Sequence, residues 1–352
     1  HFDLQTGLRF AKMKIAYVGF GKSTNRYHIP YLQTRDNFEI VRIVTPTLMK
    51  NPEAQLALEA TGTLFSTDIQ DIIQDKTIDL VVVVTPAKSH FALAKQLLQA
   101  GKNVLLDKPA VEKLTEMQEL VALAQDANLF FMPFQNRRFD SDFLTVKKMI
   151  ETGYLGRVID IQVHMDHFRP DDTTVTGSNF DGAFYGHGVH LVDQMVSLFG
   201  SPEKVQYDIR STRQPLSTLD DHFAVDLFYP DHLKASVHAT ESALVPYPKW
   251  LIQGTKGTFI KQDVDQQEND LKAGIMPGTA GFGEDSPQAY GHLTYLNQNG
   301  DRIEKYIPSE MGNYGRIYDA AYETVINGAE KLITDAQMLR VIEILEGGFE
   351  NG

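Results

Sequence analysis

A strand that runs straight into a glycine-rich turn constrains this chain more than any other feature. Lys14-Ile15-Ala16-Tyr17-Val18 is a short apolar run, and it passes directly into Gly19-Phe20-Gly21-Lys22-Ser23-Thr24. Two glycines one residue apart permit a tight turn and let backbone approach a pyrophosphate, which then sits on the amino end of the next helix. The third glycine of such fingerprints is replaced by Thr24, which loosens the packing expected there, while Lys22, Ser23 and Thr24 offer contacts to phosphate oxygens. A plain glycine-rich turn is the alternative. The placement between a strand and a candidate helix favours a dinucleotide site.

The following stretches repeat the strand and helix alternation. A second strand, Phe38–Val44, ends at Thr45-Pro46-Thr47, where an NAD enzyme usually carries an acid for the ribose hydroxyls. No acid stands there, so Thr45, Thr47 or Lys50 is available to a 2′-phosphate, which tilts the expected cofactor towards NADP. Asp79-Leu80-Val81-Val82-Val83-Val84-Thr85-Pro86 does not alternate and so reads as a strand buried on both faces. Residues 90–98 have helical spacing closed by Gly101, and Val104-Leu105-Leu106 is another buried strand, ended by Asp107-Lys108-Pro109. Ligands bind at the carboxyl ends of such parallel strands. An amine held there against apolar walls gives up its proton more readily than one in water, which suits Lys108 to acid–base work. A solvent-facing strand end is the plain alternative for this residue.

At 352 residues the chain exceeds one hydrophobic core, and two domains are expected. Near residue 136 the pattern changes from strand–helix alternation to candidate strands at 158–164, 205–210, 223–228, 234–239, 249–253 and 257–261, several of them alternating. The fold expected is therefore α/β, an N-terminal Rossmann dinucleotide-binding domain over residues 13–135 followed by an α+β substrate-binding domain over 136–352 with a large, mostly antiparallel sheet. Residues 262–291 read as a long irregular segment, either a lid, an oligomer contact or a loop. Residues 1–12 lack the apolar core of a signal peptide and are expected to be a leftover of expression. The net charge of −13, from 33 basic and 46 acidic side chains, opposes binding to nucleic acid or to anionic membranes. Zero cysteines removes disulfides and thiolate chemistry and fits a reducing, cytoplasmic setting.

The order of the pieces carries a resemblance. Gly19-Phe20-Gly21, then Thr85-Pro86 with His90, then Ala100-Gly101-Lys102-Asn103-Val104 into Asp107-Lys108-Pro109 is similar to the glucose-fructose oxidoreductase, inositol dehydrogenase and rhizopine-catabolism (Gfo/Idh/MocA) family. The likeness continues through Pro133-Phe134-Gln135-Asn136-Arg137-Arg138-Phe139, Gly153-Tyr154-Leu155-Gly156 and Gly182-Ala183-Phe184-Tyr185-Gly186-His187-Gly188-Val189-His190-Leu191-Val192-Asp193. Lys22-Ser23-Thr24-Asn25-Arg26-Tyr27-His28 and Asp265-Gln266-Gln267-Glu268 resemble the branch called YhhX-like. The resemblance implies a nicotinamide cofactor held by Gly19, Phe20, Gly21, Lys22, Ser23, Thr24, Thr45, Thr85, Pro86, His90, Asp107, Lys108 and Asn136. It also implies Lys108 and His190 as catalytic residues and a homo-oligomer, dimer or tetramer, paired through the outer sheet face. The family usually has Glu-Lys-Pro where this chain has Asp-Lys-Pro.

One departure bears on the chemistry. The family pattern Asp-x-Gly-x-His-x-x-Asp is matched by Gly188, His190 and Asp193, but Gly186 stands where the first acid belongs. Either His190 works with Lys108 alone, or Asp166, His167 or His187 replaces the acid. Asp166, His167, Arg169, Tyr185, His187 and Asp193 are the substrate-side candidates, with Tyr247 and Lys249 as further ones, and Asp193 has the alternative of anchoring its helix. The function expected is reversible hydride transfer between NAD(P) and a sugar or polyol hydroxyl carbon, with no metal. Two alternatives stand beside it. One is a non-catalytic NAD(P)-binding redox sensor, and the other is a metal-dependent lyase or hydrolase built on His164, His167, His187 and His190.

Overall fold

Six short strands make the first sheet: β1 (Met13–Val18), β2 (Phe38–Val44), β3 (Leu64–Ser66), β4 (Leu80–Val83), β5 (Val104–Leu106) and β6 (Phe131–Pro133). In this computed structural model they run in the order β3-β2-β1-β4-β5-β6 and every pairing is parallel. That is the Rossmann order, whose sequence of strands reverses between β1 and β4. The structure describes residues 11–172, 176–213 and 217–350, so the first ten residues of the expected leader lie outside the described residues. β4 and β5 are enclosed along their whole length, which is why their sequences are unbroken apolar runs. Helices Pro52–Glu59, His90–Gln99 and Leu114–Asp126 fall between successive strands.

The second sheet has eight strands: β7 (Val158–Asp166), β8 (Lys204–Arg210), β9 (His222–Phe228), β10 (Lys234–Thr240), β11 (Trp250–Gly254), β12 (Gly257–Lys261), β13 (Gly291–Leu296) and β14 (Arg302–Ile307). Their order is β14-β13-β12-β11-β7-β10-β9-β8, antiparallel throughout except for the β7–β10 pair. One face is the core: Ile161 and Val163 from β7, Ala235 and Val237 from β10, and Phe223, Val225 and Leu227 from β9 are fully enclosed. The other face carries the alternate, polar residues.

Two departures from the sequence expectation follow from composition. β13 and β14 were not anticipated, because β14 is an edge strand reading Arg-Ile-Glu-Lys-Tyr-Ile with no enclosed residue. The segment 262–291 contains a helix, Gln266–Lys272, with one apolar residue, Leu271, and Asp265 at its amino end.

The chain divides into two compact units. The first runs through Asn136 and includes Met276–Gly278 and Tyr314–Leu339; the second comprises Arg137–Ile275, Thr279–Asn313 and the chain from Arg340. The linear split at 135/136 thus differs at the C-terminal end, where a stretch expected in the second domain returns to the first. The helix Arg316–Asn327 explains the return. It buries Ile317, Tyr318, Ala321 and Tyr322, and the Tyr318 hydroxyl meets that of Tyr17 on β1 at 2.8 Å. Arg35 donates two hydrogen bonds to Asp319, at 2.6 and 2.8 Å. Such a tail cannot be assigned from a pattern that only reports which residues are amphipathic. Among the described residues no helix is long and apolar enough to cross a membrane.

Candidate functional site

In the first unit, the functional side chains gather where the strand order reverses. Gly19 follows β1 with φ +106°, and a Cβ there would lie 2.0 Å from the Val84 carbonyl oxygen, so only glycine fits. Its N–H donates to Val44 O at 2.8 Å. The following helix begins with a π turn, Thr24–His28. Thr24 is fully enclosed and its hydroxyl donates to Gly19 O at 3.1 Å, so its side chain stabilises the loop from behind instead of reaching a phosphate. Gly21 and Lys22 are exposed, and Phe20 packs edge-on against Phe65, ring centroids 5.0 Å apart. At the end of β2, Thr45 is enclosed, with its N–H on Ser66 O at 3.0 Å, whereas Thr47 and Lys50 are exposed.

His90 is enclosed and links two loops. Its Nε2 faces Thr85 O at 2.9 Å, while Nδ1 faces Pro109 O at 2.9 Å and Ala110 O at 3.1 Å. The Thr85-Pro86 turn is therefore tied by a side chain to the segment that carries Lys108, which is half-buried beside a cis Lys108–Pro109 peptide. Thr85 also shares a hydrogen bond with Ser89, 2.6 Å. Asn136, buried, is the last residue of this unit's main stretch.

Asp107 is held from below. His28 is enclosed, stacks on Phe134 with centroids 4.0 Å apart, and turns Nε2 to Asp107 Oδ1 at 3.6 Å and Nδ1 to Tyr318 Oη at 2.6 Å. The His28 ring thus stands between the Asp107 carboxylate and the Tyr318 hydroxyl, which is itself 2.8 Å from the hydroxyl of Tyr17. Ser23 adds a hydroxyl at 3.3 Å from Asp107 Oδ2. Burial pushes the Asp107 carboxyl up, but His28 and then the Lys108 charge outweigh it and hold it below the usual range. Neither His28 nor Tyr318 was given a role from the sequence; they lie 290 positions apart and meet only in the fold.

In the second unit the four histidines do not form one cluster: His164 and His190 each stand apart from the pair His167 and His187. His164 lies on the polar face of the sheet, stacked between His238 at 4.4 Å and Tyr247 at 4.5 Å, with Asp166 Oδ2 3.5 Å from its Nδ1. Asp166 also accepts from the Tyr247 N–H at 3.2 Å. Tyr185 is enclosed, stacked with Phe349 at 5.9 Å, which gives it a core position. His190 is enclosed in the first turn of the helix Val189–Phe199, which follows a second π turn, Phe184–Gly188. π turns recur at functional sites. Asp193, one turn further, accepts from Arg138 Nε and Nη2 at 2.9 Å each, both residues enclosed. Lys249 is buried too, and burial lowers its ammonium while the Asp142 charge opposes.

His167, His187 and Arg169 form a separate group around Glu241, which the sequence alone did not suggest. The parallel β7–β10 pair sets Thr240 opposite Asp166, and pairing continues beyond the strands: His167 N donates to Thr240 O at 2.8 Å and Arg169 N to Glu241 O at 2.7 Å. The carboxyl ends of two parallel strands thereby present their next residues side by side. Arg169 donates to both Glu241 oxygens, at 2.9 and 3.2 Å, and His167 Nδ1 and His187 Nε2 each lie 3.9 Å from Oε1. The His167 and His187 rings stack at 5.4 Å, and burial lowers the His167 imidazole although Glu241 opposes. Two histidines and a carboxylate can hold zinc or iron. The ligand atoms of these three side chains lie within 4.8 Å of one another, a spacing a cation could bridge, but Arg169 already sets a fixed positive charge on the carboxylate.

Sequence comparison divides the chain near the same point, although its C-terminal match takes in Tyr314–Leu339, which belongs to the first compact unit. The pattern described as Oxidoreductase family, NAD-binding Rossmann fold (GFO_IDH_MocA) matches residues 13–134, and that described as Oxidoreductase family, C-terminal alpha/beta domain, matches residues 147–351. The chain belongs to this family. It is 46% identical to the oxidoreductase YhhX of Escherichia coli (strain K12) over 336 residues, 95% of each chain. It is 30% identical over 351 residues to IolW of Bacillus subtilis (strain 168), a scyllo-inositol 2-dehydrogenase (NADP(+)), covering 96% of this chain and 93% of that one. The crystal structure of an oxidoreductase from Bacillus cereus has TM-score 0.93 at 46% identity, covering 97% of both chains. Within the family, this chain is an oxidoreductase with a nicotinamide-binding Rossmann domain.

Proposed function

We propose that the protein is a dehydrogenase or reductase that transfers hydride between a nicotinamide, NADP in preference to NAD, and the carbon of a sugar or polyol hydroxyl. The observation that carries this reading is Lys108, half-buried at the carboxyl end of β5, next to an Asp107 that His28 and Ser23 hold in place. The residues present fit the cofactor: the Gly19 turn admits no Cβ, and the loop after it leaves Gly21 and Lys22 exposed to a phosphate. The nicotinamide supplies the redox chemistry when bound. Lys108 would hydrogen-bond the reacting oxygen and stabilise charge that develops on it, while His190 takes or relays the hydroxyl proton. The NADP preference is supported by the exposed Thr47 and Lys50 at an acid-free β2 end, and by IolW, the relative named for NADP(+).

Calorimetric titration tests the cofactor, and NADPH should bind at least as tightly as NADH. Clear preference for NADH removes the NADP assignment, and no binding of either removes the enzyme. Lys108→Ala should abolish turnover and His190→Asn should slow it by roughly a hundredfold, with NADPH affinity retained in both. Near-normal rates in these variants would return both residues to structural roles.

A further inference from the structure

His90 meets its surroundings in a way that a cofactor contact does not explain. The side chain is 1% exposed, and both ring nitrogens face backbone carbonyl oxygens: Thr85 O at 2.9 Å from Nε2, Pro109 O at 2.9 Å and Ala110 O at 3.1 Å from Nδ1. We infer that His90 is a positioning residue, a doubly protonated clamp that fixes Lys108 against the turn after β4. The inference rests on the reading of Lys108 as the amine that meets the reacting oxygen, and deepens it.

A carbonyl oxygen only accepts, so each nitrogen has to donate, and an imidazole that donates from both is an imidazolium. A neutral ring would turn a nitrogen lone pair onto a carbonyl lone pair at hydrogen-bond distance, with no water at hand to relieve it. The amino end of the helix His90–Gln99, which this residue opens, opposes a cation. Three carbonyl oxygens accepting charge-assisted bonds outweigh that end effect. The counter-charge is close. Burial pushes the Asp107 carboxyl up, but His28, then Lys108, then His90 overcome it and keep it ionised.

The clamp closes a frame around Lys108. On the amino side, Asp107 N donates to Val83 O at 2.9 Å, and the Asp107 side chain is met by Ser23 and His28. On the carboxyl side, Pro109 O and Ala110 O are tied through the imidazole to Thr85 O. Both ties lead to the end of β4. Between Val83 and Thr85 lies Val84, whose carbonyl oxygen would stand 2.0 Å from a Cβ on Gly19, so the glycine turn rests on the same stretch. His90 therefore sets where Lys108 stands relative to that turn. A misplacement of about 1 Å in such a position can slow a reaction roughly a hundredfold.

Three measurements test the inference. Histidine-selective nitrogen NMR of the wild type at neutral pH, with the His90 ring assigned through its contacts to Ala110, should show both ring nitrogens protonated. One unprotonated nitrogen overturns the clamp. His90→Gln has the length to reach but turns an acceptor to one of the two sides. Trace acetylation with acetic anhydride, read residue by residue by mass spectrometry, should modify Lys108 severalfold faster in this variant, with Lys95, on the same helix and paired with Glu119, unchanged. An equal rate at Lys108, or a faster rate at both lysines, overturns the positioning role. In turnover of scyllo-inositol, myo-inositol or glucose with NADP⁺, His90→Gln should lower kcat roughly tenfold or more with little change in KM; an unchanged kcat overturns the effect on the reaction. If the ring carries both protons and the label finds Lys108 released, yet the wild type oxidises none of the three probes, the sugar or polyol reading falls and the clamp stands.

Discussion

Gly19 and Gly186 show how differently two glycines of one chain are constrained. At Gly19 the backbone has φ +106° and a Cβ would strike a carbonyl oxygen at 2.0 Å, whereas at Gly186 nothing lies within 4 Å. Gly19→Ala should therefore open the loop away from Val84 and weaken NADPH at least tenfold in a calorimetric titration. An unchanged affinity would take this turn out of the cofactor site. The glycine pair was legible in the sequence because its function is local, the bending of one turn. Thr24 was less so: its type suggested a phosphate contact, but the fold points its hydroxyl inward to Gly19 O. Glu241 was not legible, since nothing around it in sequence marks it, and its three partners come from Arg169, His167 and His187.

At the level of elements, the helix Val189–Phe199 is set by one ion pair as much as by its apolar face. Arg138 and Asp193 are both enclosed and make two hydrogen bonds of 2.9 Å. Removing one partner leaves a buried, uncompensated charge, which costs about 3–5 kcal/mol. Asp193→Ala should lower the urea midpoint accordingly, and Arg138→Met combined with it should recover part of the loss, because an apolar pair has no charge to desolvate. A single variant as stable as the wild type would show that the pair is not what anchors the helix. The strand pattern of the second unit was readable wherever one face is buried, as in β9, where Phe223, Val225 and Leu227 alternate with half-buried residues. The edge strand β14 lacks that asymmetry and left no such signal. Alternation also cannot report direction, so the parallel β7–β10 pair, which brings His167 beside Glu241, was invisible.

For the molecule as a whole, buried carboxylates couple its stability to pH. Asp265 accepts from Ser141 N at 2.7 Å and from Gln267 N at 2.9 Å, joining the starts of two helices. Burial first, and then the Asp142 charge, push it up to about 7. A carboxyl raised in the fold keeps its proton after the unfolded chain has lost it. Its contribution is therefore fully present below the unfolded value and declines as pH rises through the folded one. From pH 5 to pH 8 the decline is about 3 kcal/mol. Asp265→Asn should be less stable at pH 5 yet show a flatter dependence in urea unfolding between these pH values; an undiminished slope would assign the dependence elsewhere. The sequence by itself determined the alternation of strands and helices in the first domain, the acid-free end of β2 and the place of Lys108 after β5, because each depends on residues adjacent along the chain or repeating at strand and helix period, whereas the acid missing at Gly186 was read from the family resemblance. Only the tertiary structure decided that Tyr314–Leu339 returns to the first unit, that His28 and Tyr318 stand behind Asp107, and that Glu241 faces two imidazoles. Those depend on burial and strand direction, which bring together side chains with no relation along the chain.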